Sequence, residues 1–393
     1  MKKKVAIFGS TGSIGTSTLQ VIRDNPLLFE VVTLVAGNNV DLLIQQAKEF
    51  HPKHIYIKDA KNASKLFDCL KSNSSTYVPR ESIFYGDTGL EEISCIYDFD
   101  IAVSALVGIA GLKPTYNLMK SGKEIALANK EVLVTGGKLI LKHARLYGAK
   151  LLTVDSEHSA IMQCLNGELQ NPIEKILLTA SGGPFFTKDL TSNITVEDVL
   201  KHPTWKMGSK ITVDSASLMN KGFEVIEATL LFDVKPEQVQ VVVHRQSIVH
   251  SAVQFRDGTI MASLGPTNMQ IPIAYALNYP CRIPNTIERV DLFKLLTLSF
   301  EKPDLKKFPC LQYAYYALDS GLDKQIILNA ANEVAVENFL CRKINFTSIP
   351  EVIYQVLDSF SKLSIPINSI ENILELDVDA RKNAKNIIEK INC

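Results

Sequence analysis

The sequence has no excess charge of either sign. Lysine plus arginine and aspartate plus glutamate each number 42 among its 393 residues. Nucleic acids and anionic membranes attract proteins with a large basic excess, so the composition indicates neither partner. With 46% hydrophobic residues, the chain has a globular composition, and it is longer than the ~250–300 residues that one hydrophobic core reaches. We therefore expect two or three domains.

Paired cysteines are also lacking. The seven cysteines stand at positions 69, 95, 164, 281, 310, 341 and 393 and show no CxxC spacing. Zinc–thiolate sites and disulfide frameworks depend on such spacing. We expect reduced, mostly buried thiols in a cytoplasmic protein, and no metal bound by thiolates.

Long hydrophobic runs are lacking as well. The longest apolar stretch, Ile101–Leu112, is rich in small residues and shorter than the ~20 residues that span a bilayer. The opening Met-Lys-Lys-Lys resembles the start of a signal peptide, but Val5–Phe8 leads directly into a glycine-rich turn. We interpret Val5–Phe8 as part of a strand and expect no targeting segment and no membrane partner.

A dinucleotide-type turn follows this first strand. Lys4–Phe8 is apolar and precedes GSTGSIG at 9–15 and a helix that extends to Arg23. Glycines let the backbone approach a pyrophosphate, and the helix N-terminus offers free N–H groups and a positive dipole end. The spacing is GxxGxxG instead of the commoner GxGxxG. Strand, turn and helix together predict a dinucleotide-binding unit.

The second predicted strand, Glu30–Val35, ends without an acidic residue. NAD sites commonly place Asp or Glu there for the ribose 2′-hydroxyl, and a carboxylate would repel the 2′-phosphate of NADP. The next residues are Ala36-Gly37-Asn38-Asn39. They favour NADP only because they include no acidic residue, since they include no Lys or Arg that could bind the 2′-phosphate. Strands and helices alternate up to about residue 153, which predicts a parallel, doubly wound sheet.

Polar residues follow a later strand of this sheet. Asn129-Lys130-Glu131 comes just after the predicted strand Glu124–Leu127. Ligands of doubly wound sheets bind beyond the carboxyl ends of the strands, so Lys130 is a candidate for a site there. A solvated surface lysine is the alternative.

Two carboxylates follow the predicted strand Lys150–Thr153. In an extended backbone Asp155 and Glu157 would point the same way, and they would repel each other unless a cation or proton lay between them. Oxygen ligands favour Mg²⁺ or Mn²⁺ over zinc. The alternative is a helix start, with Asp155 or Ser156 as the N-cap.

Two features suggest an anion site and a lid. Gly182-Gly183 follows the predicted strand Ile173–Leu178, and its N–H groups with Ser181 can form an anion nest or merely a tight turn. The irregular segment 201–210 contains the only tryptophan, Trp205. Because an indole is costly to expose, this segment packs on protein or closes over a ligand.

A polar helix face follows the lid. Ser217, Asn220, Lys221 and Glu224 are spaced i, i+3, i+4 and i+7, which places them on one face of a helix. Unpaired buried charges are costly, so these residues form either a structural ion pair or a ligand site.

The rest of the chain changes character. The predicted strands Gln238–His244, Ile248–Phe255 and Thr259–Leu264, with a turn at Asp257-Gly258, indicate an antiparallel region with a hairpin. Beyond about Pro284 the pattern predicts helices at 312–320, 324–341, 348–360 and 377–391.

Eight stretches together resemble the 1-deoxy-D-xylulose 5-phosphate reductoisomerase family. They are GSTGSIG at 9–15, ALVGIAGL at 105–112, LANKEVLV at 127–134, VDSEHSAI at 154–161, SGGPF at 181–185, HPTWKMGSKITVDSASLMNKGFEVIEA at 202–228, the HxQSxxHS pattern at 244–251 and LNAANEVAV at 328–336. Their order and spacing agree over most of the chain, and eight matches together are highly specific.

This resemblance implies a fold and a reaction. The fold would be α/β, with an N-terminal Rossmann-like NADPH domain (1–150), an α/β catalytic domain (151–285) with the lid 201–210, a linker (286–311) and a C-terminal α-helical domain (312–393). The protein would be a homodimer. It would convert 1-deoxy-D-xylulose 5-phosphate to 2-C-methyl-D-erythritol 4-phosphate by metal-assisted rearrangement and NADPH-dependent reduction, in isoprenoid biosynthesis.

The resemblance also implies roles for residues. The metal, Mg²⁺ or Mn²⁺ with Co²⁺ as an alternative, would be bound by Asp155, Glu157 and Glu224. The implied catalytic set adds Lys130, His158 and His250. Implied substrate contacts are Lys130, Ser156, Ser181, His202, Trp205, Ser215, Asn220 and Lys221. Implied nucleotide contacts are Thr11, Gly12, Ser13, Ile14, Gly37, Asn39, Asn129, Glu131 and Gly208.

The sequence departs from the family pattern at three places. Asn38 stands where relatives often carry Lys or Arg, and Arg245 stands where proline is frequent. The run Pro266–Met269 differs from the usual Pro-Asp-Met. None of the implied metal or phosphate ligands is altered, so we expect an active enzyme.

Two other functions compete with this one. A reductase acting on a semialdehyde could use the same N-terminal module, with a Cys nucleophile or a Lys/Asp pair and no metal. A regulatory protein that senses the dinucleotide without turnover would not need Asp155, Glu157 and Glu224. Dependence on a divalent metal distinguishes the reductoisomerase from both.

Overall fold

The computed structural model describes residues 1–71, 79–168, 170–191, 193–295 and 297–391. These residues divide into two compact units. The first unit comprises 1–132, 140–155 and 269–286, and the second comprises 133–139, 156–268 and 287–391. The division into three domains that the sequence suggests remains a prediction.

Strands and helices alternate through the first part of the chain, and helices dominate its end. The strands are β1 (Lys3–Phe8), β2 (Phe29–Ala36), β3 (His54–Ile57), β4 (Ile83–Tyr85), β5 (Ile101–Ser104), β6 (Glu124–Leu127), β7 (Lys150–Thr153), β8 (Ile173–Ala180), β9 (Val239–Val243), β10 (Val249–Phe255) and β11 (Ile260–Leu264). The helices are α1 (Ser13–Asp24), α2 (Val40–Phe50), α3 (Ala60–Lys71), α4 (Gly86–Ser94), α5 (Leu112–Met119), α6 (Glu131–Tyr147), α7 (Ser156–Cys164), α8 (Val196–Val199), α9 (Ser209–Ala216), α10 (Met219–Leu231), α11 (Gln270–Asn278), α12 (Leu292–Leu295), α13 (Pro309–Ser320), α14 (Leu322–Leu340), α15 (Ser348–Ser359) and α16 (Ile370–Ile391).

A seven-stranded sheet forms the core of the first unit. Its strand order is β4-β3-β2-β1-β5-β6-β7, and every pairing is parallel. Residues 5–8 of β1 are all buried, as a strand covered on both faces requires. The predicted parallel, doubly wound sheet is therefore confirmed. The strand order reverses at β1, and in such sheets ligands bind at the carboxyl ends of the strands on either side of that point.

The second unit contains a smaller, mixed sheet. Its order is β11-β10-β8-β9, with β8 and β9 parallel and the other pairs antiparallel. The β10–β11 pair is the predicted hairpin, and its turn is closed by a bond of 2.9 Å from Thr259 N to the Asp257 side chain. β11 is an edge strand of this sheet.

The C-terminal helices surround one central member. α14 is buried on almost every side, because α13, α15 and α16 pack around it. A helix that is apolar or buried all round belongs to the interior of a unit. α14 also packs against α9, which follows the lid segment in the chain.

Two local predictions were wrong. The backbone is not extended past Asp155, because α7 begins at Ser156; the alternative of a helix start is the observed one. The helix predicted from Ser217 is interrupted there. α9 ends at Ala216, Leu218 adopts the left-handed conformation with φ 60°, and α10 begins at Met219. Ser217 therefore does not share the α10 face with Asn220, Lys221 and Glu224.

The cysteines also differ from expectation. All six described cysteines are free thiols, as predicted, but Cys95, Cys281 and Cys341 are exposed and only Cys164 and Cys310 are buried. Cys393 lies outside the described residues. Within the part of the chain that the structure describes, no helix has both the length and the apolar character needed to cross a membrane.

Candidate functional site

The glycine turn lies at the carboxyl end of β1. The Gly9 and Ser10 N–H groups donate to Val35 O over 2.8 and 2.9 Å, which ties the turn to β2. Gly9 has φ +104°, and a Cβ there would lie 2.3 Å from Ala105 O. Only glycine fits this close approach of two backbones, so the turn is placed against the loop that follows β5.

The N-terminus of α1 is open to a ligand. Gly12 is its N-cap, no side chain caps it, and its first turn has no acidic residue. Gly12 and Ser13 are exposed. Backbone N–H groups at such a helix end, with the positive end of the helix dipole, are suited to a pyrophosphate.

The tip of β2 contains a residue that sequence reasoning missed. Asn39 caps α2 by accepting a bond of 3.2 Å from Leu42 N, so part of its side chain is engaged in capping. The exposed Lys58 lies beside Gly37, because its N–H donates to Gly37 O over 3.1 Å. It is the first residue after β3, whose end pairs with the end of β2. The backbone of a lysine therefore lies at the tip of β2, supplied by the neighbouring strand.

Residues after β6 form a buried polar group. Asn129 donates through Nδ2 to Gly108 O over 2.9 Å and also to Leu106 O, which fixes the loop after β5. The Lys130 ammonium lies 2.5 Å from Asp155 Oδ2, and the two side chains are only 7% and 16% exposed. The alternative of a solvated surface lysine is therefore wrong. Asp155 is the last residue of the segment 140–155 of the first unit, and Glu131 is in the first turn of α6.

The second unit holds an acidic cluster, which we define as Glu157, Asn220, Lys221 and Glu224. Lys221 Nζ bonds to Glu157 Oε1 over 2.7 Å and also to Glu224 Oε2, while Asn220 Nδ2 donates to Glu224 Oε1 over 2.6 Å. Burial alone would lower the pKa of Lys221, but the negative charges of Glu157 and Glu224 outweigh it and raise the pKa. One ammonium thus compensates two carboxylates.

His158 lies behind this cluster. It is fully buried, its Nε2 lies 3.0 Å from the Glu224 carbonyl oxygen, and its Nδ1 lies 3.2 Å from Glu227 Oε2. The ring therefore joins α7 to the backbone of α10 at the residue that carries the Glu224 carboxylate. Ser156, at the start of α7, donates its hydroxyl to Glu157 Oε2.

A hydroxyl cluster, defined as Ser181, His202 and Ser215, lies in the same unit. His202 Nε2 is 3.0 Å from Ser181 Oγ and 3.1 Å from Ser215 Oγ. Its Nδ1 accepts the N–H groups of Thr204 (3.3 Å) and Trp205 (2.9 Å), so the proton of the neutral ring is on Nε2. Burial lowers the pKa of His202 to about 4. The cluster is therefore uncharged near neutral pH.

The Gly-Gly turn is shaped around this cluster. Gly182 and Gly183 have φ +79° and +66°, and a Cβ on Gly183 would lie 2.9 Å from Ser215 O. The Ser181 hydroxyl accepts the Gly183 N–H over 3.2 Å. The turn therefore packs directly on the end of α9, which brings Ser181 and Ser215 to the same histidine.

The lid segment, residues 201–210, is anchored at two points besides His202. Thr204 Oγ1 lies 3.2 Å from Ser247 Oγ, and the Trp205 indole lies 5.9 Å from the His250 ring. Burial lowers the pKa of His250. Gly208 is the N-cap of α9, so the last two residues of the lid segment are the first two of that helix. Arg245, one of the departures from the family pattern, is exposed.

Within each unit the predicted residues therefore gather into groups. The second unit brings together the acidic cluster, the hydroxyl cluster, and the Trp205–His250 pair of the lid. The first unit brings together the glycine turn, the tip of β2 and the Lys130–Asp155 pair.

Comparisons with known proteins identify the family. Three family models match: 1-deoxy-D-xylulose 5-phosphate reductoisomerase over residues 5–137, its C-terminal domain over 151–232, and a DXP reductoisomerase C-terminal domain over 264–383. The 1-deoxy-D-xylulose 5-phosphate reductoisomerase of Clostridium perfringens strain 13 is 47% identical over 392 residues, which are 99% of this chain and 100% of the relative. That of Bacteroides fragilis is 48% identical over 391 residues, 99% of each chain.

Solved structures agree with these relatives. A crystal structure of DOX-P reductoisomerase in complex with NADPH, fosmidomycin and magnesium is 40% identical, with a TM-score of 0.92 over 99% of both chains. The enzyme from Zymomonas mobilis in complex with NADPH is 37% identical, with a TM-score of 0.89 over 99% of this chain and 100% of that one. On full-length identity and matching structure, this chain belongs to the 1-deoxy-D-xylulose 5-phosphate reductoisomerase family.

Proposed function

We propose that this chain converts 1-deoxy-D-xylulose 5-phosphate to 2-C-methyl-D-erythritol 4-phosphate, by metal-assisted rearrangement of the carbon skeleton and reduction by NADPH, in isoprenoid biosynthesis. The observation that carries this proposal is the pair of clusters in the second unit. A buried carboxylate, Glu224, and a half-buried one, Glu157, suited to a dication, occur together with neutral donors suited to a phosphate. A semialdehyde reductase or a dinucleotide sensor would not need that combination.

The proposed metal ligands are Asp155, Glu157 and Glu224. Glu157 and Glu224 already converge on one cation, the Lys221 ammonium, so the cluster has the charge and the oxygen donors that Mg²⁺ or Mn²⁺ requires. Asp155 precedes Glu157 by two residues and is itself compensated by Lys130. Co²⁺ is an alternative ion for the same donors. In this proposal His158, a member of the implied catalytic set, acts by positioning Glu224, because its ring contacts the Glu224 carbonyl oxygen and Glu227 Oε2.

The hydroxyl cluster is the proposed phosphate subsite, together with Asn220 and Lys221. Ser181, Ser215 and the Nε2–H of His202 are hydrogen-bond donors that converge on one place. With a dication bound, Lys221 no longer has to neutralise two carboxylates, and its ammonium can serve the phosphate. Lys130 and Ser156 are proposed to bind the hydroxyl and carbonyl oxygens of the substrate.

The proposed nucleotide site is the glycine turn with the tips of β2 and β6. Thr11, Gly12, Ser13 and Ile14 border the open N-terminus of α1, which suits the pyrophosphate. We propose that Lys58 supplies the charge for the 2′-phosphate that relatives often place at position 38. The remaining proposed contacts are Gly37, Asn39, Asn129, Glu131 and Gly208.

The chemistry is shared between the bound groups and the side chains. When bound, the dication stabilises negative charge on neighbouring substrate oxygens, and NADPH supplies the hydride. The side chains orient the substrate between phosphate and metal, and the lid, with Trp205 against His250, excludes water. Binding energy from the remote phosphate helps to close the lid.

We further propose a homodimer. Edge strand β11 exposes Ile260, Met261 and Leu264, whose exposed fractions are 54%, 37% and 46%. Exposed apolar edge strands invite pairing, and a second copy of the same strand is the simplest partner. Light scattering should give twice the chain mass of 43.5 kDa; a monomer at assay concentration would refute the proposal. A cytoplasmic location also remains a proposal, supported by the free thiols of the six described cysteines.

NADPH absorbance tests the proposed reaction. Addition of 1-deoxy-D-xylulose 5-phosphate with Mg²⁺ should cause oxidation of NADPH, and excess EDTA should abolish it. Oxidation that persists in EDTA would favour a metal-independent reductase. Binding of NADPH by folded protein without turnover would favour a sensor.

A further inference from the structure

A buried carboxylate outside both clusters is located on α9. Asp214 is 2% exposed, and two side chains meet it. Lys210, one helical turn earlier, lies 2.9 Å from its Oδ2, and Asn332 of α14 donates to its Oδ1 over 2.8 Å. The second contact joins residues that are 118 positions apart in the chain. It therefore fixes α9 against the central helix of the C-terminal region.

In the bond between Asn332 and Asp214, the Asn332 amide nitrogen is the donor and the Asp214 carboxylate is the acceptor. Asn332 is fully buried, and its Oδ1 has no hydrogen-bond partner among the described residues. A buried amide that leaves its oxygen unbonded loses free energy. An amide nitrogen aimed at a carboxylate is nevertheless the favourable arrangement, because Asp214 can only accept. Asn332 is thus used for one contact, and that contact is with α9.

Movement of α9 is transmitted directly to the hydroxyl cluster. Ser215 follows Asp214 in the chain, and its Oγ lies 3.1 Å from His202 Nε2. On its other side, the end of α9 is so close to the Gly-Gly turn that a Cβ on Gly183 would lie 2.9 Å from Ser215 O. A small rotation or shift of α9 therefore displaces Ser215 Oγ relative to Ser181 and His202.

We propose that Asn332 is a positioning residue for the phosphate subsite. Through Asp214 it sets the position of α9, and through α9 the position of the Ser215 hydroxyl. The inference rests on the proposed function, since it takes the hydroxyl cluster to be the place where the substrate phosphate binds. The C-terminal helical region would then affect substrate affinity without itself contacting the substrate.

The chain offers a matched control on the same helix. Asn329 is also fully buried, and its amide bonds to Glu333 within α14 instead of to α9. Asn332→Ala and Asn329→Ala therefore remove the same group at the same burial, and only the first removes the contact between α14 and Asp214. Asn332→Leu is a second test variant, which keeps the number and branching of the side-chain heavy atoms and removes the donor in case the alanine variant does not fold.

The experiment measures binding of inorganic phosphate and, separately, the KM and kcat for 1-deoxy-D-xylulose 5-phosphate. Trp205 is the only tryptophan, and its backbone N–H donates to His202 Nδ1, so its fluorescence can follow phosphate binding. We expect Asn332→Ala to weaken phosphate binding and to raise KM about five- to tenfold, with kcat changed less than about threefold. NADPH binding should be unchanged, and Asn329→Ala should shift phosphate binding less than about twofold.

A double-mutant cycle separates positioning from general destabilisation. If Asn332 acts through Ser215, then adding Asn332→Ala to Ser215→Ala should weaken phosphate binding by less than about twofold more. Full additivity of the two changes, or equal effects of the Asn332 and Asn329 variants, would overturn the inference.

Failure of the proposed function would look different. In that case wild-type protein would bind phosphate without oxidising NADPH, and the phosphate titrations alone would decide the role of Asn332. Normal turnover with phosphate binding insensitive to Asn332→Ala and Asn332→Leu would overturn the inference and leave the proposed function standing.

Discussion

The acidic cluster and the hydroxyl cluster lie in the same unit, but they differ in charge and therefore suit different ligands. The hydroxyl cluster is neutral: burial holds the pKa of His202 at about 4, and both ring nitrogens have partners. The acidic cluster contains three charged side chains, Glu157, Lys221 and Glu224. Its two carboxylates, one buried and one half-buried, share the Lys221 ammonium that lies between them.

This difference indicates the charge of the ligand that each cluster is suited to bind. Neutral donors with fixed directions can receive a phosphate without first losing a bound counter-charge. Two carboxylates with a single ammonium retain one surplus negative charge, which a dication can compensate. The first cluster is preorganised by hydrogen bonds, and the second by an internal cation. Changes to each should therefore have different signatures.

The largest effect is expected from removing the internal cation. Lys221→Met leaves Glu157 and Glu224 without their shared partner, and loss of one member of a buried ion pair costs about 3–5 kcal/mol. In EDTA the free energy of unfolding from urea titrations should fall by that amount, and Mg²⁺ should restore part of it. As a control, Lys65→Met removes an exposed pair with Asp41 and should change little. Equal stability of the Lys221 variant and wild type in EDTA would contradict this account.

A smaller effect is expected from an exposed cation in the other unit. Lys58→Ala should weaken NADPH binding about five- to tenfold and leave NADH binding almost unchanged, because only NADPH carries the 2′-phosphate. Lys61→Ala, at a nearby exposed position of α3, is the control. If the NADPH to NADH ratio of wild type and the Lys58 variant is the same, Lys58 does not recognise the 2′-phosphate.

The smallest effect concerns the pH dependence of the hydroxyl cluster. Burial lowers the pKa of His202 from its ordinary value of 6.5 to about 4 in the folded protein, so the unfolded chain takes up the proton first as the pH falls. His202 therefore contributes stability that is present above pH 6.5 and is lost as the pH falls towards 4. Urea titrations between pH 7 and pH 5 should show a shallower loss for His202→Gln than for wild type. Parallel curves would mean that His202 is not held neutral.

Much of the fold was predictable because its signals are local. Apolar strands of the parallel sheet are bounded by turn residues, and β6 and β7 have the predicted bounds. β4 has only three residues, too few for a periodicity to register, and neither it nor α4 was predicted. α9 was missed because the helix was predicted to begin at Ser217, whereas the structure has a helix over Ser209–Ala216 and then a break at Leu218, a residue type that rarely adopts positive φ.

Site residues were predictable from the sequence where they lie on one continuous segment. Asn220, Lys221 and Glu224 share a face of α10, as their spacing predicts, and they are hydrogen-bonded to one another. No sequence pattern predicted the contacts between distant segments. Lys58 reaches the tip of β2 only through strand pairing, and Asn332 reaches Asp214 only through the packing of α14 on α9. The pairing of Lys130 with Asp155 required knowledge of adjacent strand ends.

Mn²⁺ titration calorimetry tests the contrast between the two clusters most directly. Wild type, Glu224→Gln and Ser215→Ala are compared, each first shown by thermal melting to be folded. Since changes behind a metal site already weaken binding about 10–100-fold, loss of a ligand charge in Glu224→Gln should weaken Mn²⁺ binding about 100-fold or more. Ser215→Ala should bind Mn²⁺ as wild type does and should bind phosphate more weakly. Equal Mn²⁺ affinity in wild type and Glu224→Gln would contradict the assignment of the acidic cluster to the metal.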